Sequence, residues 1–230
     1  MTMNPPRSYK PLGPHWPQLV AMLDRHGVNL VFDVGANVGQ YGQALRASGF
    51  AGRIVSVEPV GTAHAELART AAADPLWQVT PPAAVGAASG TIAVNVSASS
   101  DMSSVLPFTP EAARDLDSDR MIARETVPMI TVADLIARYA GSTDRILLKS
   151  DTQGYELEVL RGAGGHIDRL SGLQLELSLY PIYVGQPTWR ETVDMLLPRG
   201  FDIHLIIPGY FSRRLGRLVE MDVVLFGSAA

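Results

Sequence analysis

The sequence predicts one α/β domain, a mostly parallel sheet covered by helices on both faces. Three observations carry this. Short apolar runs alternate with helix-like stretches along most of the chain, and repeated β/α alternation builds a parallel sheet. The stretch Val31-Phe32-Asp33-Val34-Gly35-Ala36-Asn37-Val38-Gly39 passes from a buried strand through a glycine-containing turn into a helix, the local plan of a nucleotide site. Finally, the apolar runs 201–207 and 221–226 are separated by a segment holding Pro208, two glycines and three arginines. No helix of any length fits there, so the two runs should pair antiparallel as a terminal hairpin.

The elements follow in order. Residues 1–17 carry prolines at 5, 6, 11, 14 and 17, a density that forbids regular helix and predicts an extended arm. The domain proper should occupy 18–230. Residues 18–26 read as a helix with Leu19, Val20, Met22 and Leu23 on its apolar side and Gly27 as C-cap. After the first strand and turn come a helix over 40–48, a strand over 53–57 and an Ala-rich helix over 62–73. A short third strand, 77–80, is interrupted by Pro81-Pro82 and continued by 83–86. Residues 90–97 alternate apolar and polar, the period of a half-exposed strand; a turn through 87–90 makes a small inserted β-hairpin near 87–97.

Residues 97–127 are the least regular, and a long connection in a compact domain is usually functional or mobile. A helix over 110–119 and a strand over 125–129 are expected, then a helix capped by Thr131 and running to Tyr139. The remaining elements are a buried strand over 145–149, a helix over 155–162, a strand over 172–179 carrying Glu176, and a helix over 188–197.

Composition narrows the function. A chain of 230 residues, 47% hydrophobic and 18% charged, suits a single globular domain. The net charge is −4 and the basic residues cluster only at Arg213, Arg214 and Arg217, so the footprint of a nucleic-acid binder is missing. The absence of cysteine excludes disulfides, thiolate metal sites and cysteine nucleophiles. No apolar run reaches 18 residues, which argues against a membrane span. The N-terminus has no apolar signal core, and a cytoplasmic protein is expected.

The glycine turn has a partner. Nineteen residues beyond Gly39, the second strand ends in Glu58-Pro59. An acid there is placed to hydrogen-bond ribose hydroxyls. Asn37 stands where a second glycine would let the backbone cradle a pyrophosphate. That weakens the alternative of a nicotinamide-dependent oxidoreductase on a related fold.

Several separated stretches carry a family resemblance: Asp33-Val34-Gly35-Ala36-Asn37-Val38-Gly39, Glu58-Pro59, Leu148-Lys149-Ser150-Asp151-Thr152-Gln153-Gly154-Tyr155-Glu156, Val159-Leu160-Arg161-Gly162-Ala163 and Leu175-Glu176-Leu177. Together they resemble the FkbM family of S-adenosylmethionine-dependent methyltransferases. The resemblance implies the class I methyltransferase fold, a Rossmann-like seven-stranded sheet with a terminal antiparallel hairpin. It also implies O-methylation of a sugar, a glycosylated compound or a polyketide-type secondary metabolite. Two departures stand out. The family's common Asp-Val-Glu-Gly reads Asp151-Thr152-Gln153-Gly154, and its Glu-x-His reads Glu176-Leu177-Ser178.

The resemblance further implies that S-adenosyl-L-methionine is bound, and S-adenosylhomocysteine released, by Asp33, Gly35, Asn37, Gly39, Glu58 and Ala84. Asp33 would take the methionine amino group, directly or through water, and Ala84 would lie beside the adenine. Asp151, Lys149 and Glu176 end central strands, where open α/β sheets bind ligands, and are the candidate catalytic groups. Asp151 is the first choice as base or acceptor-orienting group. Lys149 could stabilise an alkoxide, act as base if burial lowers its pKa, or simply pair with a carboxylate. Asp151 and Glu176 could share a divalent metal, but no metal is predicted. Ser103, Ser104, Tyr180, Tyr183 and Gln186 are candidates for a small hydroxylated substrate. A cofactor-binding module without catalysis is the remaining alternative.

Overall fold

The computed structural model describes residues 15–115 and 121–227. Helix α1 (His15–Arg25) leads into strand β1 (Leu30–Val34), helix α2 (Gln40–Ala47), strand β2 (Arg53–Val57), helix α3 (Gly61–Ala71) and strand β3 (Trp77–Val79). An insertion follows: β4 (Ala84–Val85), β5 (Gly90–Ser97), α4 (Pro110–Asp115) and β6 (Met121–Ile130). The chain then runs through α5 (Val132–Tyr139), β7 (Ile146–Ser150), α6 (Glu156–Arg161), β8 (Leu170–Ser178), α7 (Trp189–Leu196) and β9 (Phe201–Pro208). A two-stranded ribbon, β10 (Phe211–Ser212) and β11 (Arg217–Leu218), precedes β12 (Glu220–Gly227).

Seven strands form one sheet in the order β3-β2-β1-β7-β8-β12-β9. Strands β3, β2, β1, β7 and β8 pair parallel, and β12 lies antiparallel between β8 and β9. This is the class I methyltransferase sheet with its terminal antiparallel pair. Both faces are covered. Val31, Ile54 and Leu147 pack against Leu19 and Leu23 of α1, Leu45 of α2 and Leu67 of α3. The alternate residues Phe32, Val55 and Leu148 pack against Leu135 of α5, Val159 of α6 and Val193 of α7. Buried parallel strands read as continuous apolar runs for this reason.

The structure corrects three expectations. Helix α1 starts at His15, inside the stretch expected to be extended; Pro17 falls in its first turn, where a missing N–H has no intrahelical acceptor to lose. Residues 1–14 of the expected arm lie outside the described residues. The inserted hairpin near 87–97 is not a hairpin, because β4 and β5 lie on either side of β6 in a separate three-stranded sheet. Residues 84–85 therefore leave the main sheet instead of continuing β3. The helix expected over 110–119 is present as α4 to Asp115, and 116–119 lie outside the described residues. The insertion packs back on the domain: Val94 and Val127 cluster with Val60, Ala63 and Ala84, which places β5 over the start of α3.

Candidate active site

The strands β1, β2 and β7 end around a cavity open to solvent, at the carboxyl edge where open α/β sheets bind ligands. One side is formed by Gly35, Asn37 and Glu58. Ala84, Val85 and Val94 supply apolar wall. Ser103, Ser104, Asp151 and Tyr155 also line the cavity.

The turn after β1 is built by its neighbours. The Gly35 and Ala36 N–H groups donate to the Val57 carbonyl at 3.0 and 3.1 Å, and the Asp151 N–H donates to the Val34 carbonyl at 3.1 Å. Gly35 has φ 71°, and a Cβ there would stand 1.9 Å from the Asp151 carbonyl oxygen. A glycine is required because the loop after β7 presses against the turn. Gly39, by contrast, backs onto Leu67, Thr70 and Trp77; it lets α2 approach α3 and β3 and does not bring backbone to the cavity.

Asn37 takes the left-handed conformation, φ 47°, which asparagine tolerates better than most residues. Its N–H donates to Glu58 Oε2 and the Val60 N–H to Glu58 Oε1, both at 2.8 Å. Burial pushes the Glu58 carboxyl up to about 7, while those two N–H groups and Lys149 pull it back. The Asn37 side-chain oxygen is buried and has no hydrogen-bond partner among the described residues. An orphaned acceptor in a cavity wall fits a ligand that brings a donor.

Lys149 lies behind the wall. Its Nζ sits 3.1 Å from Asp33 Oδ1 and 3.8 Å from Asp151 Oδ2, donates to the Gly35 carbonyl at 2.9 Å and stands over the Tyr41 ring. Burial alone would lower its pKa, but Asp33, Asp151 and Glu176 outweigh burial and raise it. The ammonium form is therefore favoured, which runs against the expectation that burial would make Lys149 a base. Asp33 is fully buried and also accepts from Ser56 Oγ at 3.1 Å, so it has no surface for direct contact with a cofactor.

Asp151 is the member of this group that reaches the cavity, its side chain 25% exposed. The loop that carries it is heavily braced. Glu156 Oε1 accepts from the Thr152 N–H at 2.8 Å, the Thr152 hydroxyl at 3.0 Å and the Gly154 N–H at 3.3 Å; burial pushes this carboxyl up to about 7. Ser104 Oγ donates to the Gln153 carbonyl at 2.7 Å, tying the 100–105 segment to the loop. Glu176 is buried and contacts the Gln153 amide.

The five residues suggested for substrate separate. Ser103 and Ser104 line the cavity. Tyr183 is buried and donates to Gln153, Gln186 accepts from the Ile182 and Tyr183 N–H groups, and both pack against the loop at Gly154; Tyr180 lies under the Arg217 guanidinium. The sequence reading missed Tyr155 and Gln40, which also line the cavity. Only their position just beyond the two strand-end turns could have marked them.

The donor set fits an S-adenosyl cofactor: Glu58 and Asn37 supply acceptors, Gly35 a close backbone edge, and Ala84 with Val85 an apolar wall. The match to known proteins agrees. Residues 33–203 match the model of the methyltransferase FkbM domain. No curated protein matches the chain in sequence at a significant level. Among solved structures, the chain is similar to magnesium protoporphyrin IX methyltransferase from Synechocystis PCC 6803 with bound SAM, at 12% identity and TM-score 0.49 over 93% of this chain and 78% of that one. It is similar to the METTL16 methyltransferase domain at 8% identity and TM-score 0.49, covering 94% of this chain and 66% of that one. A third likeness is to the fibrillarin/Nop5p complex, at 11% identity and TM-score 0.48, over 91% of this chain and 79% of that one. No substrate follows from likenesses this remote. The family model spans most of the chain, from the buried Asp33 through Glu58 and Asp151 to β9, and the chain belongs to the FkbM family of S-adenosylmethionine-dependent methyltransferases.

Proposed function

We propose that the protein methylates a hydroxyl of a small, polyhydroxylated molecule such as a sugar, a glycosylated compound or a polyketide-type secondary metabolite, with Asp151 as base or acceptor-orienting group. The observation that carries this is the position of Asp151. Its side chain is partly exposed and lines the same cavity as Asn37, Glu58, Ser103 and Ser104. When bound, the cofactor supplies a methyl group on a sulfonium and leaves as S-adenosylhomocysteine.

The chain's own residues do the rest. Asn37 and Glu58 hold the donor, and Ser103 and Ser104 orient the acceptor hydroxyl towards it. Methyl transfer needs the two reacting atoms in line and about 3 Å apart, which favours a site built from braced strand ends. The hydroxyl loses its proton as its oxygen bonds to the methyl carbon, and Asp151 receives it. Lys149 pairs with Asp33 and lies 3.8 Å from the Asp151 carboxylate. Among the described residues, the charged groups of the cavity wall are Glu58, Asp101 and Asp151, and the net charge of the chain is −4. Both support a small uncharged acceptor over a nucleic acid. No helix among the described residues is long and apolar enough to cross a membrane, and we place the reaction in the cytoplasm.

The test is transfer of labelled methyl from S-adenosyl-L-methionine to a panel of sugars, glycosides and polyketide alcohols, with RNA as a comparator. Label in a hydroxylated small molecule is expected. Label only in RNA, or none despite tight S-adenosylhomocysteine binding, would contradict the reading; the second result would favour a binding module.

A further inference from the structure

Gln153 stands at the centre of the loop after β7, and methyl transfer as described gives it no task. Its side-chain nitrogen donates to Asp151 Oδ1 at 2.9 Å and also to Glu176 Oε2. An amide nitrogen carries two hydrogens, so it can serve both carboxylates at once. Carboxylates only accept, which fixes the nitrogen end of the amide towards them. The oxygen end then faces the Tyr183 hydroxyl, which donates to it at 2.7 Å. Tyr183 is itself fully buried and stacked on Phe108. The backbone of Gln153 is fixed as well, at φ 56°, with its carbonyl taken by Ser104. Both ends of this side chain are therefore engaged and its orientation has no freedom.

Two carboxylates converging on one point repel unless a proton, a cation or hydrogen-bond donors compensate them. Lys149 stands 3.8 Å from Asp151, on the other carboxylate oxygen. Between Asp151 and Glu176 the compensation comes from the amide. We propose that Gln153 is a positioning residue whose amide occupies the place a divalent cation would take between Asp151 and Glu176, so that this site aligns its carboxylates by hydrogen bonds and takes no divalent metal. Tyr183 completes the device by keeping the amide from turning over. The inference rests on the proposed function only in reading Asp151 as the group that meets the acceptor; the bridge itself does not depend on it.

The test uses the full chain with manganese(II) chloride as probe. Wild-type protein is expected to melt within about 1 °C of the same temperature with and without about 1 mM manganese. Gln153→Glu gathers three carboxylates at one point and should melt at least about 3 °C lower without cation, recovering at least half of that loss in manganese. Gln153→Met, which offers neither donor nor charge, should lose stability and recover none. The double variant Asp151→Asn with Gln153→Glu restores two carboxylates and one amide, and should return to within about 1 °C of wild type without cation. The proposal is overturned if wild type binds manganese and Glu176→Gln abolishes that binding, if Gln153→Met recovers as well as Gln153→Glu, or if the double variant is no better than Gln153→Glu. Should Gln153→Glu fail to fold without manganese, the wild-type and double-variant arms still decide. Calorimetry of wild type with S-adenosylhomocysteine, run in parallel, reports on the functional reading alone.

Discussion

Asp33 and Asp151 lie at the ends of neighbouring parallel strands and share one lysine, yet their surroundings are opposite. Asp33 lies directly across from Lys149 in the β1–β7 register. It is fully buried, 3.1 Å from the ammonium, and hydrogen-bonded to Ser56, which itself accepts from the Trp77 indole. Asp151, two residues beyond Lys149, stands 3.8 Å from the same ammonium and opens to the cavity. One cation thus pairs with two acids of different exposure. The closer carboxylate is sealed into the framework, and the more distant one keeps part of its surface on the cavity.

The largest effect should come from breaking the framework pair. Lys149→Met leaves the Asp33 carboxylate buried without its counter-charge, an error that costs about 3–5 kcal/mol. Urea denaturation should show it, and adding Asp33→Asn should recover much of the loss. If Lys149→Met were as stable as wild type, the framework role would be wrong.

Next is the contact that sets the two acids' loops against each other. Gly35→Ala combines a positive φ with a methyl 1.9 Å from the Asp151 carbonyl. A loss of about 1–3 kcal/mol is expected, with turnover reduced further because the backbone of Asp151 must move. A variant that is less stable but equally active would separate the turn from the acceptor side.

A third test concerns Glu58, the acid proposed to hold the cofactor. Glu58 titrates near 7 because burial disfavours its charge. A raised carboxyl favours the folded state when protonated, so this contribution to stability is complete below the unfolded value near 4.5 and is lost as pH rises through about 7. Ligand binding runs the other way, since hydroxyl donors prefer the carboxylate. Affinity for S-adenosylhomocysteine should therefore fall about tenfold between pH 8 and pH 6. Glu58→Gln should bind more weakly and flatten that dependence. An unchanged slope in the variant would remove Glu58 from the cofactor site.

The sheet was legible because its strands are buried on both faces and appear as apolar runs such as Ile146-Leu147-Leu148. The terminal antiparallel pair was legible because 208–220 cannot form a helix, although the small ribbon inside it was not. Strand β4 was not legible. It has two residues, and its partner in β6 lies about forty-five residues further on, so local pattern holds no trace of the pairing. The start of α1 was hidden by Pro17, whose effect depends on its place in the first turn. At the site, residue types placed Asp33, Asn37, Glu58 and Asp151 near strand ends. They could not show which face each presents, and that separates a sealed Asp33 from an open Asp151. Gln153 looked like a lost carboxylate; its role depends on Glu176 and Tyr183, brought to it by β8 and the loop after it.

The most direct measurement pairs binding with turnover in Asp151→Asn. Calorimetry with S-adenosylhomocysteine should give a dissociation constant below about 1 mM and within about threefold for wild type and variant, since the proposed function assigns the cofactor to Asn37 and Glu58. Transfer of labelled methyl to the hydroxylated panel should fall about 10²- to 10⁴-fold in the variant. Full turnover in Asp151→Asn, or loss of cofactor binding with turnover of the bound cofactor intact, would contradict the division of labour between the two aspartates.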